Sequence, residues 1–477
     1  MKKNKTLLTL TALTLALLLA LCGCGSSTES SSKSGNAAGA ATSLSLDTSD
    51  MFTSRDLETD YDESTATKLT LSDENPKIKI TSAGTYIITG TATDGSITVE
   101  ASDDDKVQIV LNGVTLTSKT SAAIYVKSAD KVFITTAKGT ENTISNGGTF
   151  TAIDDENIDG AIFAKDDIVF NGEGTLNVTS PAKHGIVGKD DVKFTSGEYV
   201  IECASHGVDA NDSIRITEAT IKITADKDGL HCENDDDTSK GYIYIASGTL
   251  NIESDDDGVH ANTYLVINDG TLKITAAEGL EATVVQINGG TVDIEASDDG
   301  INAAKKSDVS TPLVEINGGK ITIVMGRGDT DGIDSNGDII INGGTVDVTG
   351  NSTFDYNGKG VINGGTVIVN GEEVSELPNQ FGGMGDMGGR PDGMRGGSGD
   401  GATDAITSPT PNADGERPEM PSFDKDGKRP ELPENGSDGE RPEMPDFGKN
   451  YGGTEKPQKP WENFDGESGK TESGKGT

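Results

Sequence analysis

Acidic residues recur at fixed positions between residues 184 and 361, where one short phrase returns as HGIVG, HGVDA, DGLHC, DGVHA, EGLEA, DGINA and DGIDS. Two like charges about 4 Å apart repel by roughly 1 kcal/mol in water, and by more where water is excluded. Acids stacked on successive repeats therefore cost stability unless a cation lies among them. Clusters of oxygen ligands suit Ca²⁺, whereas no Cys or multiple-His spacing points to zinc.

We predict Ca²⁺ as the cofactor, bound by acids that open or flank the phrases and by acids three residues downstream. The predicted metal ligands are Asp226, Asp228, Asp255, Asp256, Asp257, Glu278, Glu281, Asp298, Asp299, Asp329, Asp331 and Asp334. The alternative for any single aspartate is that it only satisfies the backbone of a turn, with the adjacent glycine at positive φ. For the column as a whole, calcium is the favoured interpretation.

The chain's histidines lie in the same two columns of residues. The position three residues into each phrase forms a second polar column of Asp209, His231, His260, Glu281, Asn302 and Asp334, and the first two phrases open with His184 and His206. The histidines mark either a ligand-facing surface or simple stacking of equivalent side chains. Because His184 and His206 interrupt the acids, we expect the calcium-competent part to cover only the later repeats.

Candidate carbohydrate-binding residues lie near the acids, and they are His231, His260, Lys305, Lys306 and Arg327. No residue is predicted to be catalytic. Two insertions, residues 235–241 and roughly residues 305–312, leave the same point of the repeat three coils apart. They either wall a groove for several sugar units or are ordinary surface loops.

The spacing of the phrases predicts the fold. The underlying repeat is 21 to 22 residues, and each repeat divides into three short apolar runs, such as GVHA, YLVIN and TLKIT. Such runs are too short for helices and predict β-strands. A sandwich or barrel does not require turn glycines in fixed phase, and a calcium-binding nonapeptide roll requires a period near nine. We therefore predict an all-β, single-stranded parallel β-helix (β-solenoid) with about 21–22 residues per coil.

The sequence divides into five regions. Residues 1–23 have the layout of a lipoprotein signal peptide, with Cys24 as the lipidation site, although a plain secretory signal is the alternative. Residues 24–52 are predicted to be a flexible tether, and residues 53–157 to form capping strands and the first coils. Residues 158–371 form the regular β-helix in this prediction, and the Gly/Pro/Glu-rich residues 372–477 a disordered tail.

Composition excludes some partners. The net charge of −40 excludes a basic nucleic-acid-binding surface and repels anionic ligands unless cations intervene. Aromatic residues make up 4% of the chain, which offers few rings for stacking on sugars. Cys203 and Cys232 are expected to be free thiols, with a disulfide as the alternative.

The leader DLETDYDESTAT, the segment SAAIYVKSADKVFITTAKGTENTISNGG at 121–148 and the later DG phrases resemble the carbohydrate-binding-domain lipoproteins of clostridia and related bacteria, which are polysaccharide-lyase-like. The resemblance covers about residues 50–371. It implies a right-handed β-helix on the cell surface, calcium at aspartate-rich turns, and binding of plant cell-wall polysaccharides such as cellulose and pectic polygalacturonate. It carries no short catalytic signature.

Three functions follow from these patterns. We expect a lipid-anchored, monomeric, non-catalytic and calcium-dependent polysaccharide-binding protein on the outer face of the cell membrane, without nucleic-acid partners. The alternatives are a calcium-dependent pectate-lyase-type enzyme, with Lys305, Lys306 or Arg327 as the base, and a structural adhesin or spacer.

Overall fold

The computed structural model describes residues 46–326 and 330–379. Within these residues the chain is all-β, with 36 strands and no helix. The strands of the N-terminal part are β1 (Thr67–Leu71), β2 (Lys77–Ile80), β3 (Gly84–Ala92), β4 (Ser96–Glu100), β5 (Lys106–Ser118), β6 (Ile124–Ser128), β7 (Lys131–Thr136) and β8 (Glu141–Asn146).

The remaining strands follow in sets of three for each repeat. They are β9 (Gly160–Ala164), β10 (Ile168–Gly172), β11 (Thr175–Ser180), β12 (His184–Gly188), β13 (Asp191–Phe194), β14 (Glu198–Cys203), β15 (Val208–Ala210), β16 (Ser213–Ile216), β17 (Thr220–Ala225), β18 (Leu230–Cys232), β19 (Tyr242–Ile245), β20 (Thr249–Ser254), β21 (Asp257–Ala261), β22 (Tyr264–Ile267), β23 (Thr271–Ala276), β24 (Glu278–Ala282), β25 (Val284–Ile287), β26 (Thr291–Ala296), β27 (Ile301–Ala303), β28 (Leu313–Ile316), β29 (Lys320–Met325), β30 (Asp331–Ser335), β31 (Asp338–Ile341), β32 (Thr345–Thr349), β33 (Ser352–Tyr356), β34 (Gly360–Ile362), β35 (Thr366–Val369) and β36 (Glu372–Val374).

The strands pair in a regular pattern. From β6 to β32, each strand pairs in parallel with the strand three positions later in the sequence. The result is a 24-stranded sheet and a 12-stranded sheet, and among the named strands only β35 and β36 pair antiparallel. Each strand is therefore bonded to its counterpart in the next repeat, which is consistent with the predicted β-solenoid.

The core arises from alternation within each strand. In β17, Ile221 and Ile223 are buried while Thr220, Lys222 and Thr224 are exposed. Equivalent positions then stack in register, so that one apolar column passes through Ile221, Leu250, Leu272, Val292, Ile321 and Val346. Columns of Ile, Leu and Val merge into one continuous buried cluster. The predicted core of stacked β-branched and leucine residues is confirmed.

Turn glycines stack in the same way. Gly270 and Gly290 have φ of 116° and 84°, a region that side chains disfavour. A Cβ on Gly290 would lie 2.7 Å from the carbonyl oxygen of Gly270 one rung away. These turns therefore require glycine both for backbone conformation and for space, which explains their fixed phase in the sequence.

The ends of the folded part extend past the sequence-based boundaries. Met51, which falls in the stretch assigned to the tether, is buried against Tyr242 and Tyr244. The carboxylate of Asp56 is fully buried and lies 3.2 Å from Lys131 Nζ and 3.5 Å from Lys193 Nζ. Residues 46–56 thus pack on the large sheet, because they supply both an apolar contact and a buried counter-charge.

At the other end, β36 adds an antiparallel strand beyond residue 371, and Leu377 is buried. The signal peptide, Cys24 and most of the tether and tail lie outside the described residues. In the part that is described, no helix is long and apolar enough to span a membrane. Cys203 and Cys232 are both buried free thiols, as expected.

Candidate functional site

The strand registers bring the second polar column together along the 12-stranded sheet. Its members face one another on successive strands in the order Asp209, His231, His260, Glu281, Asn302, Asp334 and Asp355. The first column runs beside it, where Asp257 faces Glu278. The sequence repeat therefore predicted the alignment of both columns, apart from Asp355, whose phrase lacks the DG pair.

The histidines form one stack at the N-terminal end of this surface. The ring centroids of His184, His206, His231 and His260 follow one another at 5.0, 4.3 and 5.1 Å. Carboxylates of the two columns lie against the rings, so this end of the surface alternates between imidazole and carboxylate. We call it the histidine stack.

Two close contacts hold the middle of the histidine stack. His231 Nδ1 lies 2.8 Å from Asp209 Oδ1, and His206 Nδ1 lies 3.0 Å from Asp228 Oδ2. Burial raises the pKa of both aspartates, but the contacts with the histidines outweigh it and hold each pKa below its ordinary value. Burial lowers the pKa of His184 to about 4. These aspartates are therefore charged and have cationic or hydrogen-bonding partners.

His260 closes the stack on its C-terminal side. Its Nδ1 lies 2.8 Å from Asp257 Oδ2 and 2.7 Å from Glu281 Oε2. Although burial lowers the pKa of His260, these two carboxylates raise it to about 10. Glu281 also lies 2.6 Å from Lys306 Nζ. His260 is therefore an imidazolium at neutral pH and, with Lys306, neutralises the acids around it.

Beyond Glu281 the carboxylates have no such partners. Among the described residues, Glu278, Asp299 and Asp334 form no ion pair with a lysine, arginine or histidine. Burial, followed by the charge of nearby acids, raises the pKa of Glu278 to about 8, of Asp299 to about 7 and of Asp334 to about 6. We call Glu278, Asp299 and Asp334 the carboxylate row.

Oxygen atoms converge where the carboxylate row begins. One oxygen from each of Asp257, Glu278 and Glu281 lies within 4.8 Å of the others. Asn302 donates to Glu278 Oε2 at 3.0 Å, and its own Oδ1 is buried with no hydrogen-bond partner among the described residues. The three carboxylates offer oxygen ligands, which are the kind that Ca²⁺ takes, six to eight at a time.

The glycines of the DG phrases do not supply the positive φ that the turn interpretation requires. None of them has positive φ. A Cβ on Gly258 would lie 2.3 Å from Ile274 Cγ2 and 2.6 Å from the oxygen of Gly279. The glycine is thus required because the corner of the coil packs directly on the core, and positive φ does not explain the DG pair. Asp228 nevertheless satisfies a backbone group, because its Oδ1 accepts a hydrogen bond from the backbone N–H of Asp257 at 3.1 Å.

Some predicted ligands lie apart from these clusters. Asp226, Asp255, Asp256 and Asp298 are exposed. None of them belongs to the groups of ligand atoms that lie within 4.8 Å of one another in the described part of the chain. Asp331 donates its backbone N–H to Asp299 Oδ1 at 3.1 Å and so lies beside the carboxylate row. Asp329 and Arg327 lie outside the described residues.

The spacing of the histidines in the sequence does not point to zinc, but the structure brings two of them together with an aspartate. One ligand atom from each of His206, Asp228 and His231 lies within 4.8 Å of the other two. These residues are 22 and 3 positions apart in sequence, whereas zinc motifs are recognised by short spacings. Parallel pairing brings residues one repeat apart into contact, so the repeat length could have indicated this cluster from the sequence.

The two insertions meet beside the columns. They line a cleft of about 240 Å³ whose walls are Asn234, Asp235, Thr238, Asn262, Lys305, Lys306, Ser307 and Asp308. Lys306 connects this cleft to Glu281, whereas Lys305 lies 2.8 Å from Asp308 and is largely exposed. The insertions therefore wall a common recess and bring Lys306 to the polar columns.

Three tyrosines of the large sheet are covered. Tyr242, Tyr244 and Tyr264 are each less than 10% exposed and lie in a cluster with Met51. The Phe52 ring lies 6.2 Å from that of Tyr244. Phe354 is fully buried. The surface near the columns is accordingly polar and charged.

A family model described as carbohydrate-binding domain-containing protein matches residues 74–330 and 279–376. Together these residues make up more than half of the chain. The chain belongs to this family. Both polar columns, from Asp209 to Asp355, lie within the matched region.

Two relatives are similar to this carbohydrate-binding domain-containing chain. A carbohydrate-binding domain-containing protein of Acetivibrio thermocellus is 35% identical over 134 residues, which are 28% of this chain and 47% of the relative. The chain therefore spans about half the length of this curated relative. A solved structure, the gadolinium derivative of a polysaccharide lyase-like protein from C. thermocellum, is 31% identical with a TM-score of 0.42, over 44% of this chain and 91% of that one.

Proposed function

We propose that the protein is a cell-surface, calcium-dependent polysaccharide-binding protein without catalytic activity, built on a right-handed parallel β-helix. The observation that carries the proposal is the carboxylate row, in which buried acids accumulate without cationic partners beside a cleft formed by two insertions. Membership of a carbohydrate-binding family supports binding of a polysaccharide.

Calcium is the cation that this donor set favours. Asp257, Glu278 and Glu281 would hold one ion, and Asp299, Asp331 and Asp334 a second further along the sheet. A bound Ca²⁺ would offset the repulsion that raises the pKa values in the carboxylate row. It would also present a positive charge on an acidic surface, to which an anionic sugar can bind.

The ligand favoured by this chemistry is a polyuronate such as pectic polygalacturonate. Its carboxylates can complete the coordination of calcium, while Lys306 at the cleft offers a second positive charge. Cellulose is neutral and is usually held by exposed aromatic rings. Since Tyr242, Tyr244 and Tyr264 are covered, cellulose is the weaker of the two plant cell-wall candidates.

The lysines support a binding role over a lyase. A lyase of this kind needs a basic side chain with a lowered pKa to remove the proton next to the uronate carboxylate. The pKa of Lys306 is instead raised, because Glu281 outweighs the effect of burial. Lys305 is exposed and paired with Asp308. The histidines are equally unsuited, since His260 holds its proton between two carboxylates.

The remaining expectations complete the proposal. Lipidation at Cys24 would anchor a monomer to the outer face of the membrane, with the tether and tail as spacers. A second candidate, a structural adhesin or spacer whose calcium only stiffens the fold, shares the metal but has no sugar ligand. The cleft between the insertions favours the binding protein.

Co-sedimentation with insoluble polygalacturonate and with cellulose, in excess Ca²⁺ or chelator, tests the proposal. We expect binding to polygalacturonate that chelator removes and that Asp299→Asn or Asp334→Asn weakens at least tenfold. Asp293→Asn is the matched control, because Asp293 lies on the adjacent strand β26 away from the columns. Retention that is insensitive to chelator would refute the calcium requirement, and no retention on either polymer would favour the spacer.

Incubation with soluble polygalacturonate and Ca²⁺ tests the absence of catalysis. We expect no accumulation of unsaturated products. Sustained turnover that disappears in Lys306→Ala would establish a lyase and overturn the non-catalytic assignment.

A further inference from the structure

We propose that His206, Asp228 and His231 bind a divalent transition-metal ion of the Zn²⁺ type, at a site separate from the calcium ligands. The three side chains come from two consecutive repeats, His206 from one and Asp228 and His231 from the next. They offer two nitrogen donors and one carboxylate, with all three ligand atoms within 4.8 Å of one another.

The distances between the donors are close to those around zinc. With metal–ligand bonds of about 2.0–2.2 Å, ligand atoms of a tetrahedral zinc site lie about 3.3 Å apart. Asp228 Oδ2 lies 3.0 Å from His206 Nδ1 and 3.9 Å from His231 Nε2. Small rotations of the two rings would therefore bring all three atoms to bonding distance of one ion.

A second carboxylate sets the orientation of the central ligand. Asp209 Oδ1 lies 2.8 Å from His231 Nδ1, so it accepts a hydrogen bond from that nitrogen and leaves the lone pair of Nε2 for a metal ion. Metal-binding histidines commonly have this partner, which fixes the tautomer and the ring orientation. Asp209 is therefore a positioning residue for the site, and Glu233, whose Oε2 lies 3.7 Å from His231 Nε2, is available as a fourth ligand.

The histidine stack also fixes the other imidazole. The ring of His206 lies between those of His184 and His231, at 5.0 and 4.3 Å. Its strand neighbours hold the backbone by parallel pairing, so the ring has little freedom to turn away. The stack thus keeps both imidazoles beside Asp228, and each ring needs a small rotation to bond a shared ion.

The donor chemistry separates this site from the proposed calcium site. Imidazole nitrogen suits zinc and other late transition metals, whereas Ca²⁺ takes oxygen ligands. The carboxylate row provides oxygen only, and the histidine stack provides nitrogen with carboxylate. One face of the sheet can therefore hold two kinds of metal on different repeats.

Calorimetric titration of the untagged full chain with Zn²⁺ in excess Ca²⁺ tests the site. We expect about one equivalent of zinc per chain, with affinity lowered at least a hundredfold in His231→Ala and about tenfold to a hundredfold in Asp209→Asn. Asp293→Asn is the matched control, because Asp293 lies on β26 of the large sheet, outside the histidine stack and the set of ligand atoms. It should bind zinc with unchanged affinity.

A spectroscopic measurement on the wild-type chain tests the site without relying on variants that could misfold. Cobalt substituted at the site should show the visible absorption of a tetrahedral ion. X-ray absorption spectroscopy at the zinc edge should show two nitrogen neighbours. Zinc binding that persists in His231→Ala, an oxygen-only zinc environment, or no binding in excess Ca²⁺ would each overturn the proposal. Calcium-dependent retention on polygalacturonate should remain in Asp209→Asn, so the two sites can fail independently.

Discussion

Glu278→Gln removes the carboxylate with the highest pKa of the carboxylate row, and we expect it to stabilise the calcium-free protein at alkaline pH. The pKa of Glu278 rises from 4.5 to about 8 because the group is buried near other acids. The folded state therefore holds this proton more tightly than the unfolded state. The resulting stability is complete below pH 4.5 and is lost as the pH rises to about 8.

The magnitude follows from the size of the pKa shift. At about 1.4 kcal/mol per pKa unit, the shift sets a ceiling near 5 kcal/mol, and solvent exposure and salt reduce it to about 2 kcal/mol. With an unfolding entropy of about 2.1 cal/mol/K per residue over a domain this large, about 2 kcal/mol corresponds to a change in Tm of about 3 °C. Calcium at a hundredfold excess over its Kd would return about 2.7 kcal/mol to the wild-type protein.

The assay compares Tm of wild type and Glu278→Gln across pH in chelator and in Ca²⁺. In chelator the variant should gain on wild type as the pH rises through 4.5 to 8, and in Ca²⁺ the difference should shrink or reverse. His260 also loses stability with rising pH, from 6.5 to about 10, but it is present in both proteins and cancels. Glu295→Gln, an exposed residue on β26, should change nothing. Equal Tm values for variant and wild type at every pH would refute the repulsion on which the calcium site is based.

Three further outcomes check other parts of the structure. Gly258→Ala places a methyl group against Ile274 and should lower the free energy of unfolding by about 2–3 kcal/mol in chemical denaturation. Gly139→Ala has open space around the new methyl group and should lower it by about 1 kcal/mol. Equal losses would contradict the packing argument. Asp56→Asn leaves Lys193 without a buried counter-charge and should lower stability by about 3 kcal/mol and expose residues 46–56 to protease, so retained protection would contradict the docking of this segment. Chelation of calcium should speed amide exchange in the strands β24 to β30 and leave β9 to β15 unchanged, since each repeat contacts mainly its neighbours; uniform acceleration would show that calcium does not act locally.

The repeat made most of the architecture predictable. The phase of turn glycines such as Gly270 and the alternation in segments such as TIKIT predicted short parallel strands that pair one repeat apart. The packing of Met51 and Asp56 could not be predicted in the same way. It depends on contacts with residues 75 to 191 positions away, such as Lys131 and Tyr242, for which no period exists.

The site was predictable in its columns and not in its electrostatics. Spacing alone placed Glu281 beside His260 and Asn302. Which acids are neutralised depends on side-chain direction and burial, which the sequence does not show. Asp228 and Asp299 therefore looked equivalent in the sequence. In the structure one lies against His206, and the other has its pKa raised to about 7. Burial and neighbouring side chains, and not the DG phrase, make that difference.

The contrast between the two ends of the columns has a physical consequence for metal binding. Successive repeats share the same register, so the backbone offers equivalent positions from β15 to β33. Only the side chains differ, and they change from imidazole–carboxylate pairs to carboxylates without cationic partners at Glu278. A cation placed among the histidines competes with protons that are already bound there, as at His260 between its two acids. A cation in the carboxylate row has no bound cationic partner to displace, and it reduces the repulsion between the carboxylates. Hard cations should therefore bind first at Glu278 and beyond, next to the cleft where a polysaccharide would lie.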